Sequence, residues 1–159
     1  MVRAEGDLVA ARTIYEESLE IFIELGSRAG VASGLHNLGL VALGQGLYAR
    51  AAALLQDSLT EFRELGDRRG VAEALIGLAL LAGRAGEPER AARLFATGQA
   101  ALEAIGATVW PSNQAEYDRG LAEIRAQLGE PTFAAAWSAG QALSLEEAVA
   151  EALAAPLPA

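Results

Sequence analysis

The chain has 159 residues, and its 12 basic and 21 acidic side chains give a formal net charge of −9. It contains no cysteine and no lysine, which excludes disulfides, thiolate metal sites, phosphate-loop lysines and Schiff-base lysines. The negative charge also argues against direct binding to nucleic acid or to an anionic membrane surface.

Membrane and secretion segments are not expected in this sequence. Alanine inflates the apolar content of 52%, and we predict no membrane-spanning segment. The opening Met-Val-Arg-Ala-Glu-Gly-Asp lacks the apolar core that follows the charge of a secretion signal. We therefore expect a cytoplasmic protein with a single domain.

One pattern repeats along the chain every 40 residues. The glycines that begin the units are Gly6, Gly46 and Gly86, and those that end them are Gly26, Gly66 and Gly106. Self-similarity at a fixed period of this size is typical of stacked repeats. It predicts a repeat region over residues 1–106, made of a half repeat at 6–26 and repeats at 27–66 and 67–106.

Each full unit is predicted to form two helices. Apolar residues in 47–65 recur at spacings of three and four, which make one face of a helix. Segments 28–44 and 68–84 are the partner helices. The first helix, residues 7–25, is equivalent to the second member of a pair, so we expect one of its faces to be uncovered.

The turns between these helices repeat with the pattern. Ser27 and Asp67 stand at N-cap positions, and Gly66 stands where a left-handed helix end is expected. Each glycine inside a helix costs about 1 kcal/mol relative to alanine, so such residues indicate close helix pairing. These interior glycines are Gly34, Gly39, Gly77 and Gly83.

The repeat stops after Gly106, and residues 107–159 are predicted to form three further helices that cover the open end of the stack. The signals are, in chain order, a break at Trp110–Pro111, a capping box at Asn113 and Glu116, an aromatic pair at Phe133 and Trp137, a second capping box at Ser144 and Glu147, and a frayed end at Pro156 and Pro158. The aromatic pair is predicted to lie in the core. No role is predicted for Trp110.

The unit resembles the tetratricopeptide repeat. The matching residues are Leu35, Leu38, Gly39, Ala42, Ala51 and Leu55, and in the next unit Leu75, Leu78, Ala79, Ala82, Ala91 and Phe95. The resemblance implies an all-α fold, a right-handed solenoid of helical hairpins with a C-terminal set of capping helices. HEAT-type helix pairs are the second choice, since they suit a 40-residue period but lack this spacing.

A narrower resemblance comes from the second half of the chain. Residues 86–94, 115–117, 133–137 and 143–148 resemble the C-terminal ends of large bacterial multidomain transcriptional activators. In that family a nucleotide-binding switch ATPase and a DNA-binding domain precede the repeat array. The resemblance implies that this chain is the repeat arm of a larger regulatory protein. The alternative it implies is a segment that senses a small inducer.

Signals for enzyme chemistry are weak. Residues 44–49 satisfy the dinucleotide pattern G-x-G-x-x-A, but residues 35–43 have helical spacing where that motif needs a strand. His36 is the only histidine, and we expect a hydrogen-bonding surface residue or a partner contact rather than a catalytic base. We therefore predict a non-enzymatic protein with no cofactor and no metal.

Two surfaces are predicted to bind partners. In a curved stack the first helix of each pair lines a groove, and we expect it to hold a protein or peptide by apolar contacts. The groove residues are Ser33, His36, Asn37, Leu40, Leu43, Glu73, Ile76, Leu80 and Arg84. On the first helix, Ile21 and Ile23 replace the polar residues of the next unit. They predict contact with a further repeat or a second copy in a homodimer, or local packing beneath the N-terminal residues.

Overall fold

The computed structural model describes residues 5–155, which are helical except for short turns. The elements are α1 (Glu5–Leu25), α2 (Arg28–Gly44), α3 (Tyr48–Leu65), α4 (Arg68–Arg84), α5 (Pro88–Ala104), a 3-10 turn (Pro111–Asn113), α6 (Gln114–Leu128), α7 (Glu130–Ala142) and α8 (Leu145–Ala154). No strand occurs in this range, so the predicted all-α solenoid of helical hairpins is confirmed.

The turns between repeats form as their sequence predicts. The side chains of Ser27 and Asp67 accept hydrogen bonds from the backbone N–H groups of Gly30 and Gly70. Gly66 closes α3 with φ 69°, a left-handed conformation that glycine adopts without strain. The two repeats therefore share the same local rules for beginning α2 and α4.

Small residues let neighbouring helices approach closely, as predicted. A Cβ atom on Gly39 of α2 would stand 2.7 Å from Leu55 of α3, and one on Gly83 of α4 would stand 2.8 Å from Ile124 of α6. Cβ atoms do not occur at such distances, so alanine at either position would force Leu55 or Ile124 to shift. The loss in helix propensity is therefore offset by interhelical contact.

The C-terminal helices continue the stack and cover its end. Helix α6 packs against α4 and α5, and α7 packs on α5. Gly140 of α7 lies against the backbone of Arg93, and its carbonyl accepts a hydrogen bond of 2.7 Å from the Thr97 hydroxyl. Helix α8 contacts α3, α4 and α5, where Glu151 pairs with Arg93 at 2.8 Å.

Several details near the C-terminus test the sequence predictions. The capping box of Ser144 and Glu147 is confirmed, with both hydrogen bonds present. The box predicted at Asn113 is wrong, because the 3-10 turn precedes α6 and the Asn113 side chain caps nothing. That side chain points instead to the hydroxyl of Tyr117.

The predicted aromatic pair packs as expected. Phe133 is buried, and its ring stacks on Trp137 with centroids 5.4 Å apart. The frayed end predicted at Pro156 and Pro158 lies outside the described residues. No helix within residues 5–155 combines the length and the hydropathy that a bilayer-spanning segment needs.

Candidate functional site

A buried polar cluster lies where α2, α4 and α6 meet. We define it as His36, Glu73, Tyr117, Asn113 and the backbone N–H of Trp110. The Tyr117 hydroxyl is 2.7 Å from Glu73 Oε2 and 3.0 Å from His36 Nε2. Trp110 N–H donates to the other Glu73 oxygen. The segment leading into α6 is therefore bound to the inner helices of both repeats.

The hydrogen bonds of this cluster define a proton arrangement. Because the Tyr117 hydroxyl donates to Glu73, we assign the proton of His36 to Nε2, which donates to the Tyr117 oxygen. Nδ1 of His36 is then an unprotonated acceptor, and it has no hydrogen-bond partner among residues 5–155. This neutral histidine is a structural group rather than the surface residue that the sequence predicts.

Burial shifts the acidity of all three titratable side chains. Desolvation lowers the pKa of His36 to about 4, so its ring is neutral near pH 7. Desolvation also raises the pKa of Glu73, opposed by hydrogen bonds from Tyr117 and Trp110. The pKa of Tyr117 lies well above its usual value because burial and Glu73 disfavour the phenolate.

Trp110, for which the sequence predicts no role, covers the polar cluster. Its ring meets the His36 ring edge-on with centroids 5.5 Å apart and lies 6.1 Å from the ring of Phe62. The guanidinium of Arg69 lies 5.8 Å from the indole centroid and donates to the Thr108 carbonyl. The loop before α6 is therefore held by apolar, cationic and backbone contacts together.

The structure corrects most of the predicted groove. Five of its residues are buried, namely His36, Leu43, Glu73, Ile76 and Leu80. Tyr117 and Trp110 cover His36 and Glu73. Leu80 packs against Gly120 of α6, and Ile76 packs against Gly98 of α5. A partner cannot reach these buried side chains in this structure. Substituting Leu80 by Glu would therefore disrupt the core rather than test binding.

The remaining groove residues are half-buried, and three of them line a cleft of about 430 Å³. We call it the α2–α6 cleft. It is lined by Leu8, Tyr15, Asn37, Leu40, Val41 and Gly44 on one side and by Arg84, Ser112, Asn113, Ala115, Glu116, Arg119 and Glu123 on the other. Ser33 does not contribute. The structure thus brings together Asn37, Leu40 and Arg84.

The two walls of the cleft differ in chemistry. Leu8, Leu40 and Val41 make an apolar wall from α1 and α2. On the opposite wall Glu116 accepts hydrogen bonds from Arg84 and Arg119, each at 3.3 Å. Since these charges are paired with each other, the site does not select strongly for a charged ligand.

The sequence prediction overlooked the α6 wall. Glu116 and Arg119 stand one turn apart on α6, and their spacing alone resembles an ordinary surface pair. Only the position of α6 beside Arg84 shows that they line the cleft. No sequence signal identifies this wall, because α6 lies outside the repeat register.

The predicted face on α1 is exposed but does not form one surface. Ile21 and Ile23 are 55% and 60% exposed. Residues two apart on a helix point in nearly opposite directions. Ile21 instead shares a stripe with Ile14 and Leu25, at spacings of seven and four residues.

The dinucleotide-like pattern of the sequence lies in a helical context. Residues 44–49 span the end of α2, the turn at 45–47 with Gly46 at φ 77°, and the start of α3, so a helix and not a strand precedes the glycines. In the described part of the chain, no three His, Cys, Asp or Glu residues gather as metal ligands would.

These features define a helical-repeat protein with stacked hairpins and a concave cleft. A family model for the tetratricopeptide repeat matches residues 1–63 and 30–104. The chain therefore belongs to the tetratricopeptide repeat family, whose repeats generally mediate protein–protein interaction and are typically non-catalytic. No curated protein and no solved structure shows a significant match to the chain.

Proposed function

We propose that this chain is a non-enzymatic interaction module that binds a short peptide segment of a partner protein in the α2–α6 cleft. The observation that carries the proposal is the pairing of an apolar wall with a wall of internally matched charges in one concave site. Such a site holds an apolar side chain and fixes the neighbouring backbone by hydrogen bonds. The peptide needs no net charge.

Individual residues take separate parts in this proposal. Leu8, Leu40 and Val41 receive one apolar side chain of the peptide. Asn37 supplies an amide donor and acceptor in the same cleft. Arg119, which pairs with Glu116 at 3.3 Å, lines the opposite wall, where a peptide backbone would lie.

A matched pair of substitutions tests the cleft. Peptides of twelve residues selected by phage display on the purified chain serve as the probe, and their affinity is measured by fluorescence anisotropy. Leu40→Glu places a charge on the apolar wall and lowers affinity by about tenfold or more. Leu47→Glu, at an exposed leucine outside the cleft, leaves the affinity unchanged.

Both variants keep the helical circular-dichroism signal, since neither leucine is fully buried. Equal affinities of wild type and Leu40→Glu for every selected peptide would place binding on another surface. A loss caused by Leu47→Glu would do the same.

A small-inducer sensor is the second candidate, and the volume of the cleft favours it. About 430 Å³ lies in the range of small-molecule sites, which runs from about 300 to about 1,000 Å³. In a thermal-shift panel, stabilisation by metabolites with none by peptides favours the sensor. Stabilisation by peptides alone favours the interaction module.

A further part of the proposal concerns a longer parent protein. We infer from the tail resemblance that the chain is the repeat arm of a bacterial regulatory protein with a switch ATPase and a DNA-binding domain. Sequencing the reading frame on both sides of the coding region tests this inference. A frame that encodes neither domain would refute the regulatory parent and leave the cleft proposal standing.

A further inference from the structure

Asn113 belongs to two features of the structure at once. It is only 8% exposed, and in the buried polar cluster its Nδ2 donates a long hydrogen bond of 3.5 Å to the Tyr117 hydroxyl. It also lines the α2–α6 cleft. The Asn113 side chain therefore connects the buried hydrogen bonds to the surface that a ligand in the cleft would touch.

The Tyr117 hydroxyl decides which branch of the Asn113 amide faces it. A hydroxyl has one hydrogen to donate and two lone pairs that accept. The hydrogen is directed to Glu73 at 2.7 Å, and His36 Nε2 donates to one lone pair at 3.0 Å. The other lone pair needs a donor, which the Asn113 amide nitrogen supplies and its oxygen does not. An inverted amide would bring two oxygen atoms together with no hydrogen between them.

The orientation of the nitrogen also fixes that of the oxygen. The two branches of an amide diverge from one carbon atom, so Oδ1 of Asn113 points away from Tyr117 and toward the cleft. Among residues 5–155 this oxygen accepts no hydrogen bond, and it is not one of the unpartnered side-chain atoms that are sealed from solvent. The cleft thus contains an acceptor whose direction is set by buried groups.

Neighbouring charges favour an uncharged donor over an ammonium group as the partner of this oxygen. Arg84 and Arg119 line the same wall of the cleft. Their carboxylate partners, Glu116 and Glu123, are already engaged with them. A cation beside Asn113 would lie near two guanidinium groups, and the apolar wall would remove part of its water. An amide N–H group avoids both penalties.

We propose that Oδ1 of Asn113 determines the specificity of the α2–α6 cleft by selecting a ligand that carries an uncharged amide N–H group next to an aliphatic group. This inference rests on the proposed function of the cleft and adds the polarity of the contact. The aliphatic group lies on Leu40 and Val41, and the N–H group donates to Asn113. A ligand that offers only acceptors at this point leaves Oδ1 facing another lone pair.

The orientation of the amide is tested without any ligand, by NMR of the intact chain. We expect nuclear Overhauser contacts between the side-chain amide protons of Asn113 and the ring of Tyr117. The same protons exchange with water more slowly than those of Asn37, a cleft residue outside the polar cluster. Tyr117→Phe removes the acceptor and brings the two exchange rates together. Equal rates in the wild type, or no contact to the Tyr117 ring, would overturn the inference.

Two small amides test the ligand side. N-isobutylacetamide has an N–H group beside an aliphatic group, and N-isobutyl-N-methylacetamide has a methyl group in place of that hydrogen. The NMR shifts of the Leu40 and Val41 methyl groups report binding, and we expect the secondary amide to bind about fivefold more tightly. Asn113→Leu abolishes this preference. The matched control Gln114→Met, at an exposed amide outside the cleft, keeps it.

The source of the N–H group is identified with a twelve-residue peptide, selected on the chain, that Leu40→Glu weakens. Its backbone N–H groups are methylated one at a time, and its Asn and Gln side chains are replaced one at a time. A loss of about tenfold on methylation at one position assigns the donor to the backbone. A loss only on replacing an amide side chain assigns it there. A peptide insensitive to all these changes would overturn the inference.

Failure of this inference differs from failure of the proposed function. Equal binding of the two small amides, or a preference that Asn113→Leu leaves unchanged, would refute the role of Asn113 and leave a binding cleft. If neither amide shifts Leu40 and Val41, and Leu40→Glu weakens no selected peptide, the cleft itself is not a binding site.

Discussion

Helices α2 and α4 have nearly the same sequence pattern but very different surroundings. Every residue of α4 from Gly70 to Gly83 is buried, whereas α2 has exposed residues at both ends and half-buried positions between 30 and 40. Helix α4 lies between α3, α5 and α6, and α2 lies toward the open end of the stack. Position in the stack therefore determines which residues of a repeat remain available for binding.

The difference is sharpest at residues 40 and 80, which are equivalent leucines. Leu80 is buried beneath Gly120 of α6, while Leu40 lines the cleft. We expect Leu80→Ala to lower the free energy of unfolding by about 4 kcal/mol and Leu40→Ala by about 1 kcal/mol. Urea denaturation measures both. Equal losses would show that α6 does not cover Leu80 in solution.

Helices α2 and α4 also differ in how they make stability depend on pH, because His36 of α2 corresponds to Ile76 of α4. Folded His36 has a pKa of about 4 against 6.5 in the unfolded chain. The unfolded chain therefore binds the proton first, and stability falls as pH drops from about 6.5 toward 4. The full loss attributable to His36 is about 3 kcal/mol.

His36→Leu removes this loss, so the difference between the two proteins measures it in denaturation at pH 7 and pH 4. Glu73 acts in the opposite direction, since its raised pKa makes the folded chain take up that proton first. If the wild type and His36→Leu lost the same free energy of unfolding between pH 7 and pH 4, His36 would not be a neutral buried residue.

The smallest effect concerns the features that the two helices share. Ser27 and Asp67 cap α2 and α4 through the same hydrogen bond to the third residue on. Ser27→Ala and Asp67→Ala each cost about 1 kcal/mol. Thermal unfolding of the two variants tests this near-equality. A clearly larger loss for one cap would show that tertiary burial, rather than local geometry, sets its contribution.

Sequence reasoning succeeded where the information is local. The helix bounds, the Ser27 and Asp67 caps, the left-handed Gly66 and the close approach at Gly39 depend on residues a few positions apart or on repeat symmetry. It failed at Asn113, where the sequence has an equally local capping pattern but the chain forms a 3-10 turn instead.

The candidate site was harder to predict because it depends on distant residues. Only Asn37, Leu40 and Arg84 of the predicted groove line the cleft. Two errors of the sequence prediction have the same cause: it gave Trp110 no role, and it placed Glu73 in the groove. Their contact joins segments 37 residues apart in sequence, and no repeat or periodicity encodes that pairing.

The amino-acid sequence alone determined the 40-residue unit, the helices and the turns, because propensity, capping and glycine conformation act over a few residues. The tertiary structure decided which faces are filled. Tyr117 and Trp110 enter the inner side of the stack because burying their rings and joining His36 to Glu73 satisfies apolar and polar groups at once. Within residues 5–155 that packing leaves a cleft beside α2 and exposed apolar side chains on α1.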